Sequence, residues 1–343
     1  MDNNTSTDFE TFLGNATGAQ WLAAIEQLSP ALHPVDRDAV QLWFRFFPID
    51  LKRYLDAADN RESAIQGLAI IGNFELKNQI DTSHRFLYGH RFWKSVKAVI
   101  REVEIDNGHE LSELIDFVAE QVATRENVGK NLTLAISAVG LATLAHVGFD
   151  AFSATAGDTA KPDGILKKSP DAIVAERGQD DSQGLFGFLK TINKKFSLYF
   201  TSLYSSGKFP VIQDQQLTHA SAAARSAEWQ EMDPRCWEGP IPVECTSAAC
   251  GTCWIGVTGG AEKLTPVAAR ERRAMKVFGY NQPEVERPFL RLACQTKASG
   301  NVSIVIPPWN GVFGKKVVGN VENLELEPNT TSAKALRDLT TPS

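Results

Sequence analysis

The sequence predicts two domains: an all-α helical domain, then a smaller α+β domain beyond a polar linker. Three observations carry this. Apolar residues recur at helical spacing through residues 18–153, with only short breaks. Residues 155–181, "TAGDTAKPDGILKKSPDAIVAERGQDD", are polar and rich in turn formers, with few large apolar side chains. After them, short alternating runs between turn residues replace the helical period. At 343 residues the chain is long enough for two cores. The expected boundaries are 1–154 for the helical domain, 155–182 for the linker, 183–310 for the second domain and 311–343 for a C-terminal tail.

The helical elements follow in order. "GAQWLAAIEQL" and "VDRDAVQLWFRFF" place apolar residues on one face, and Pro34 suits the first turn of the second run. "RESAIQGLAIIGNFEL", "HRFLYGHRFWKSVKAVIREVE" and "GHELSELIDFVAEQVAT" continue the pattern, separated by turn formers such as "AADN" and "DNG". "NLTLAISAVGLATLAHVGF", 131–149, carries no charged residue. Its length admits a membrane span and its small residues admit a central helix packed closely on all sides; the buried helix is the expectation. Trp43, Phe44, Phe46 and Phe47 read as core.

In the second domain, "KKFSLYF" and "KFPVIQ" flank the turn "SSGK" as a β-hairpin, and "QLTHASAAARSAEWQ" is an Ala-rich helix. A cysteine-bearing loop leads into the strand "CWIGVTGG". A helix, "TPVAARERRAMKVFG", and two extended pieces in "RLACQTKASGNVSIVIPP" close the domain.

The net charge of −6 argues against a nucleic-acid partner, which needs a basic surface. The excess is uneven: residues 1–155 hold 13 Lys+Arg against 21 Asp+Glu, and the remainder 22 against 20. The polar, acidic start "MDNNTSTDFETFLG" lacks the pattern of a signal peptide, so a reducing cytoplasm is the expected compartment, with membrane association through 131–149 as the lesser alternative. Neither a G-x-G-x-x-G after a strand nor a G-x-x-x-x-G-K-[ST] occurs, so no nucleotide-binding domain is expected.

Five cysteines, an odd number in a chain this long, do not make a disulfide scaffold. Four have a spacing that suggests ligands: Cys245, four residues, Cys250, two residues, Cys253, then forty residues to Cys294. Four thiolates suit zinc or an iron–sulfur cluster. Structural zinc sites usually take two close pairs, whereas one loop of three with a distant fourth suits a [2Fe–2S] centre. The intervening Thr246, Ser247, Ala248, Ala249, Gly251 and Thr252 are small, so backbone N–H groups can approach the sulfurs. Zinc tolerates small residues too, so the donor set leaves both metals open. Cys236 lies outside the spacing and reads as a free, partly buried thiol.

The C-x4-C-x2-C run with its distant fourth Cys, in a hairpin–helix–loop–strand order, resembles the plant-type [2Fe–2S] ferredoxin family over roughly residues 190–308. "CGTCWIGV" is similar to the family's loop-to-strand exit, and "RLACQTKASGNVSIVIP" to its closing segment. The resemblance implies a β-grasp fold, a [2Fe–2S] cluster on Cys245, Cys250, Cys253 and Cys294, and one-electron transfer near −400 mV. It implies no catalytic residues. The stretch from Cys253 to Cys294 is longer than in the plant proteins and similar to that of bacterial ferredoxin domains fused to other modules. Its helix carries Arg270, Arg272, Arg273 and Lys276 where many members present an acidic docking face.

The expected function is therefore an accessory electron carrier, not an enzyme, serving a redox partner of respiratory, hydrogenase or oxygenase type. The alternative is a redox-sensing scaffold whose helical domain binds a partner according to the state of the cluster. His84 and His90, six apart on one expected helix, fall on different faces and do not suggest a metal pair.

Overall fold

The computed structural model describes residues 3–102, 110–179, 194–280, 287–319 and 324–326. The chain divides into a helical unit, Met1–Ala57 with Glu75–Val174, and a second unit, Ala58–Phe74 with Ala175–Ser343. Residues 58–74, expected in the helical domain, thus belong to the second unit, and residues 155–174 of the expected linker belong to the helical one.

Helices α1 (Asn3–Asn15), α2 (Gly18–Leu28), α3 (Pro34–Phe46) and α4 (Ile49–Asp56) open the chain. Helix α5 (Arg61–Gly67) and strand β1 (Ile71–Gly72) follow, as parts of the second unit. The helical unit resumes with α6 (Trp93–Glu102), α7 (Leu111–Glu126), α8 (Leu134–Val147) and α9 (Phe149–Ala154), and the unit boundary falls inside α10 (Pro170–Arg177). A Thr17–Gln20 capping box starts α2, and Pro34 occupies the first turn of α3. Every residue from Leu134 to Leu144 is buried, and α1, α3, α6, α7 and α9 all pack on α8. Small residues allow that approach: a Cβ on Gly140 would stand 2.5 Å from Val96 and 2.8 Å from Ile100 of α6. At 14 residues α8 is about 21 Å long, short of the ~30 Å of a bilayer core. Among the described residues no helix is long and apolar enough to cross a membrane.

Two expected helices are interrupted. In "RESAIQGLAIIGNFEL" the helix stops at Gly67, and the extended residues Ile71–Gly72 pair with a distant strand. In "HRFLYGHRFW" the buried carboxylate of Asp36 accepts from the backbone N–H groups of Tyr88 (2.6 Å) and Gly89 (2.8 Å). Turns and a 3-10 segment, Tyr88–Phe92, replace the helix there.

The second unit continues with the hairpin β2 (Lys195–Thr201) and β3 (Ser206–Ile212), then β4 (Gln215–Gln216) and α11 (Leu217–Ala222). Next come α12 (Trp229–Met232), β5 (Trp254–Gly259), α13 (Ala269–Phe278), β6 (Leu290–Leu292), β7 (Lys297–Ala298), β8 (Val302–Val305) and β9 (Trp309–Asn310). The hairpin, β5, α13, β6 and β8 lie where the sequence predicts, whereas the two-residue strands β7 and β9 are additional to the two extended pieces expected. The expected Ala-rich helix is two short helices, α11 and α12. Five strands form a mixed sheet in the order β3-β2-β8-β5-β6. Only β2 and β8 run parallel, and a bulge interrupts β5 between Val257 and Gly259. Along β2, Phe196, Leu198 and Phe200 alternate onto the buried face, whereas β6 and β8 are buried at every position.

Residues 58–74 clamp the far end of this unit. β1 pairs antiparallel with β9, Asn73 N–H donates to Pro308 O (2.9 Å), and Val312 N–H to Leu68 O (2.7 Å). The start of the expected polar tail is structured too, since Gly314–Val318 forms one π-helical turn against α13.

Candidate metal centre

The loop between α12 and β5 carries Cys245, Cys250 and Cys253, and the 3-10 turn Ala293–Gln295 after β6 carries Cys294. Pairing of β5 with β6 sets Trp254 opposite Leu292, and Ala293 N–H donates to Cys253 O (3.0 Å), which brings the last cysteine to the loop. The four thiols stand as two pairs. Cys250 donates its S–H to Cys245 Sγ at 3.0 Å, and Cys253 is hydrogen-bonded to Cys294. The pairs are within electrostatic reach of each other, Cys250 acting on Cys253 and Cys245 on Cys294. Among the described residues no three His, Cys, Asp or Glu side chains converge as one metal ion requires.

Backbone amides surround the sulfurs. Cys245 Sγ accepts from the N–H groups of Ser247, Ala249 and Cys250, Cys250 from that of Thr252, Cys253 from that of Cys294, and Cys294 from that of Ala248. Gln295 Nε2 adds a side-chain donor 3.4 Å from Cys294 Sγ. These contacts favour the charged form of two of the thiols. The S–H of Cys250, reinforced by the amides, lowers Cys245 to about 5 against the opposing effect of burial. Cys294 is lowered by Cys253, then by Gln295 and Ala248. The donors Cys250 and Cys253 are raised, first by keeping the shared proton and then by burial.

The loop can curl this tightly because Ala248 and Gly251 adopt left-handed backbone, at φ 57° and 72°. Gly251 also packs on α13, where a Cβ would stand 2.9 Å from the Phe278 ring. Behind the loop lies a buried aromatic wall. Trp254 stacks on Tyr280 at 3.7 Å and 12°, and Trp254 Nε1–H donates to Trp309 O (2.8 Å). Tyr280 Oη–H reaches the carbonyls of Gly251 (3.3 Å) and Gly311 (3.2 Å). Cys245, Cys253 and Cys294 are buried, while Thr246, Ala249 and Cys250 are half-buried and form the site's outer edge.

A buried ion pair positions the strand before Cys294. Arg291 grips Glu271 of α13 through Nε–Oε1 and Nη2–Oε2, both 2.9 Å, and donates to Thr265 O (2.8 Å). Leu292 N–H donates to the same Glu271 Oε1 (2.8 Å). Sequence reading missed this pair, because Glu271 looks like one more charge in "RERR". The alternation of apolar and charged residues along α13 was the available signal, since it puts Glu271 on the face of Met275 and Phe278. Cys236 stands apart from the four, buried, with its S–H donated to Pro240 O (3.3 Å) and its pKa pushed up to about 12 by burial.

No protein-family model matches the chain, and comparison with curated proteins and with solved structures finds no significant match.

Proposed function

We propose that the second unit is a one-electron carrier holding a [2Fe–2S] cluster on Cys245, Cys250, Cys253 and Cys294. The observation that carries this reading is the two-by-two pairing of thiols, three of the four buried, within a cage of backbone N–H groups. A binuclear centre takes two protein ligands on each iron, so Cys245 with Cys250 and Cys253 with Cys294 suit it. A single zinc ion needs all four sulfurs around one point. The sheet supports the same reading. Its first and last long strands, β2 and β8, run parallel side by side, with β3 outside β2 and β5–β6 beyond β8, as a β-grasp sheet is built.

When bound, the cluster supplies exchange of one electron at low potential. The residues supply the setting. Amides aimed at the sulfurs offset added negative charge, and the Trp254–Tyr280 wall keeps water from the inner side. The half-buried edge at Thr246, Ala249 and Cys250 is where a partner approaches. Helix α13, which touches the loop through Phe278, presents Arg273 to solvent and favours a partner with acidic groups on its docking face. In this reading the helical unit attaches the carrier to a respiratory, hydrogenase or oxygenase complex.

Full-length protein purified anaerobically tests the proposal. It should contain two irons and two acid-labile sulfides per chain and give an S = ½ EPR signal after dithionite reduction. Cys294→Ser should remove or reshape that signal, and Cys236→Ser should leave it intact. A colourless protein with one bound zinc would overturn the reading.

A further inference from the structure

Gln295 follows the last cysteine in the 3-10 turn Ala293–Gln295, and its side chain folds back onto Cys294 instead of extending into solvent. We propose, resting on the [2Fe–2S] reading, that Gln295 tunes the reduction potential of that centre by holding a side-chain N–H against the Cys294 sulfur. It acts through Cys294, as a positioning residue.

Three acceptors surround the amide nitrogen. Nε2 lies 3.0 Å from Cys294 O, 3.1 Å from Thr246 O and 3.4 Å from Cys294 Sγ. Two carbonyls and a ligand thiolate only accept, so the amide must turn its nitrogen to them and not its oxygen. Its two protons serve three acceptors, so the sulfur shares one of them with a carbonyl. The carbonyls fix where the nitrogen stands. Cys294 O belongs to the same turn, and Thr246 O to the loop that carries the other three cysteines, 49 residues earlier in the chain. Gln295 thus ties the closing turn to the loop and aims its donor with the same contacts.

Loading changes which donors Cys294 keeps. Thiols ligate a metal as thiolates, so the S–H groups of Cys250 and Cys253 are no longer donors. Of the donors described for Cys294 Sγ, the Ala248 N–H and the Gln295 amide then remain. An N–H aimed at a ligand sulfur favours the reduced centre over the oxidised one, because reduction adds negative charge that the sulfurs share. Gln295 is half-buried, and partial exclusion of water strengthens that effect. The backbone amides are set by the fold. Gln295 is a side chain, so one substitution removes its donor and leaves the amides in place.

The test uses the full chain, purified anaerobically, and an EPR-monitored redox titration of the parent and of Gln295→Leu, which keeps the bulk and loses the donor. The variant should retain its iron and its S = ½ signal. Its reduction equilibrium constant should fall about threefold to tenfold, which is ~28–59 mV towards lower potential for one electron. A second measurement needs no variant. Reduced parent carrying ¹⁵N in its glutamine side-chain amides should show, by pulsed EPR, coupling of one such nitrogen to the electron spin. If Gln295→Leu binds no iron, that coupling alone decides. A Gln295→Leu protein with the parent's midpoint, or a parent without the ¹⁵N coupling, would overturn this proposal and leave the carrier reading standing. A parent with no iron and no EPR signal would overturn the carrier reading, and this proposal with it.

Discussion

Replacing Glu271 with Ala should damage the second unit more than an ordinary surface change, although the residue touches none of the thiols. The carboxylate is fully buried, and its partner Arg291 has 1% of its side chain exposed. Deleting it leaves the guanidinium with Thr265 O as its remaining contact of those described above, and strips Leu292 N–H of its acceptor. Breaking one side of a buried pair costs about 3–5 kcal/mol, a large share of the ~5–15 kcal/mol that holds a domain folded. Glu271→Gln keeps an oxygen for Leu292 N–H but turns amide N–H donors towards the Arg291 guanidinium and leaves its charge unpaired, so about 3–5 kcal/mol is expected there too. Because β6 leads directly into the turn that bears Cys294, the Ala variant should also bind less iron than the parent. Urea titration of full-length protein, followed by fluorescence of the buried Trp254 and Trp309, measures the first effect, and iron analysis the second. A Glu271→Ala protein within about 1 kcal/mol of the parent would refute the argument that desolvation makes this pair indispensable once formed.

Three further outcomes follow from other contacts. Gly251→Ala should cost roughly 2–4 kcal/mol, from left-handed backbone at φ 72° and a Cβ pressed on Phe278, and should lower both thermal stability and iron content. Tyr280→Phe frees the carbonyls of Gly251 and Gly311 and should cost about 1–3 kcal/mol in the same urea titration. The helical unit should weaken in acid. Burial, with the neighbouring His90, holds His84 well below 6.5, and burial with Arg85 and Arg91 lowers His90 to about 4. Both are neutral when folded and take up protons when unfolded. Stability is therefore complete above 6.5 and falls by up to about 1.4 kcal/mol per pH unit per histidine as pH drops towards 4. Circular dichroism melts at pH 7 and pH 5 measure this, and equal midpoints would contradict it.

Much of the fold was legible because local pattern and tertiary burial agree. The apolar run in α8 reads as a helix buried all round and is one, and Trp43, Phe44, Phe46 and Phe47 are core. The hairpin β2–β3 and the strand leaving Cys253 follow from alternation and turn residues. Other parts were illegible because distant groups compete for the same backbone. Asp36 captures the amides of Tyr88 and Gly89, so "HRFLYGHRFW" is not one helix, and His84 and His90 meet ring to ring. Trp309–Asn310 draws Ile71–Gly72 into a strand that no period-two run announces.

At the cysteines the division is the same. By itself the sequence determined that three thiols share a short loop of small residues with a fourth far along the chain, because covalent spacing and side-chain size are local properties. Only the tertiary structure decided which thiols pair, which amides point at them, and that Glu271 and Arg291 hold the closing strand. Those contacts join residues more than forty apart through strand register and the packing of α13, and no local window of sequence contains both ends.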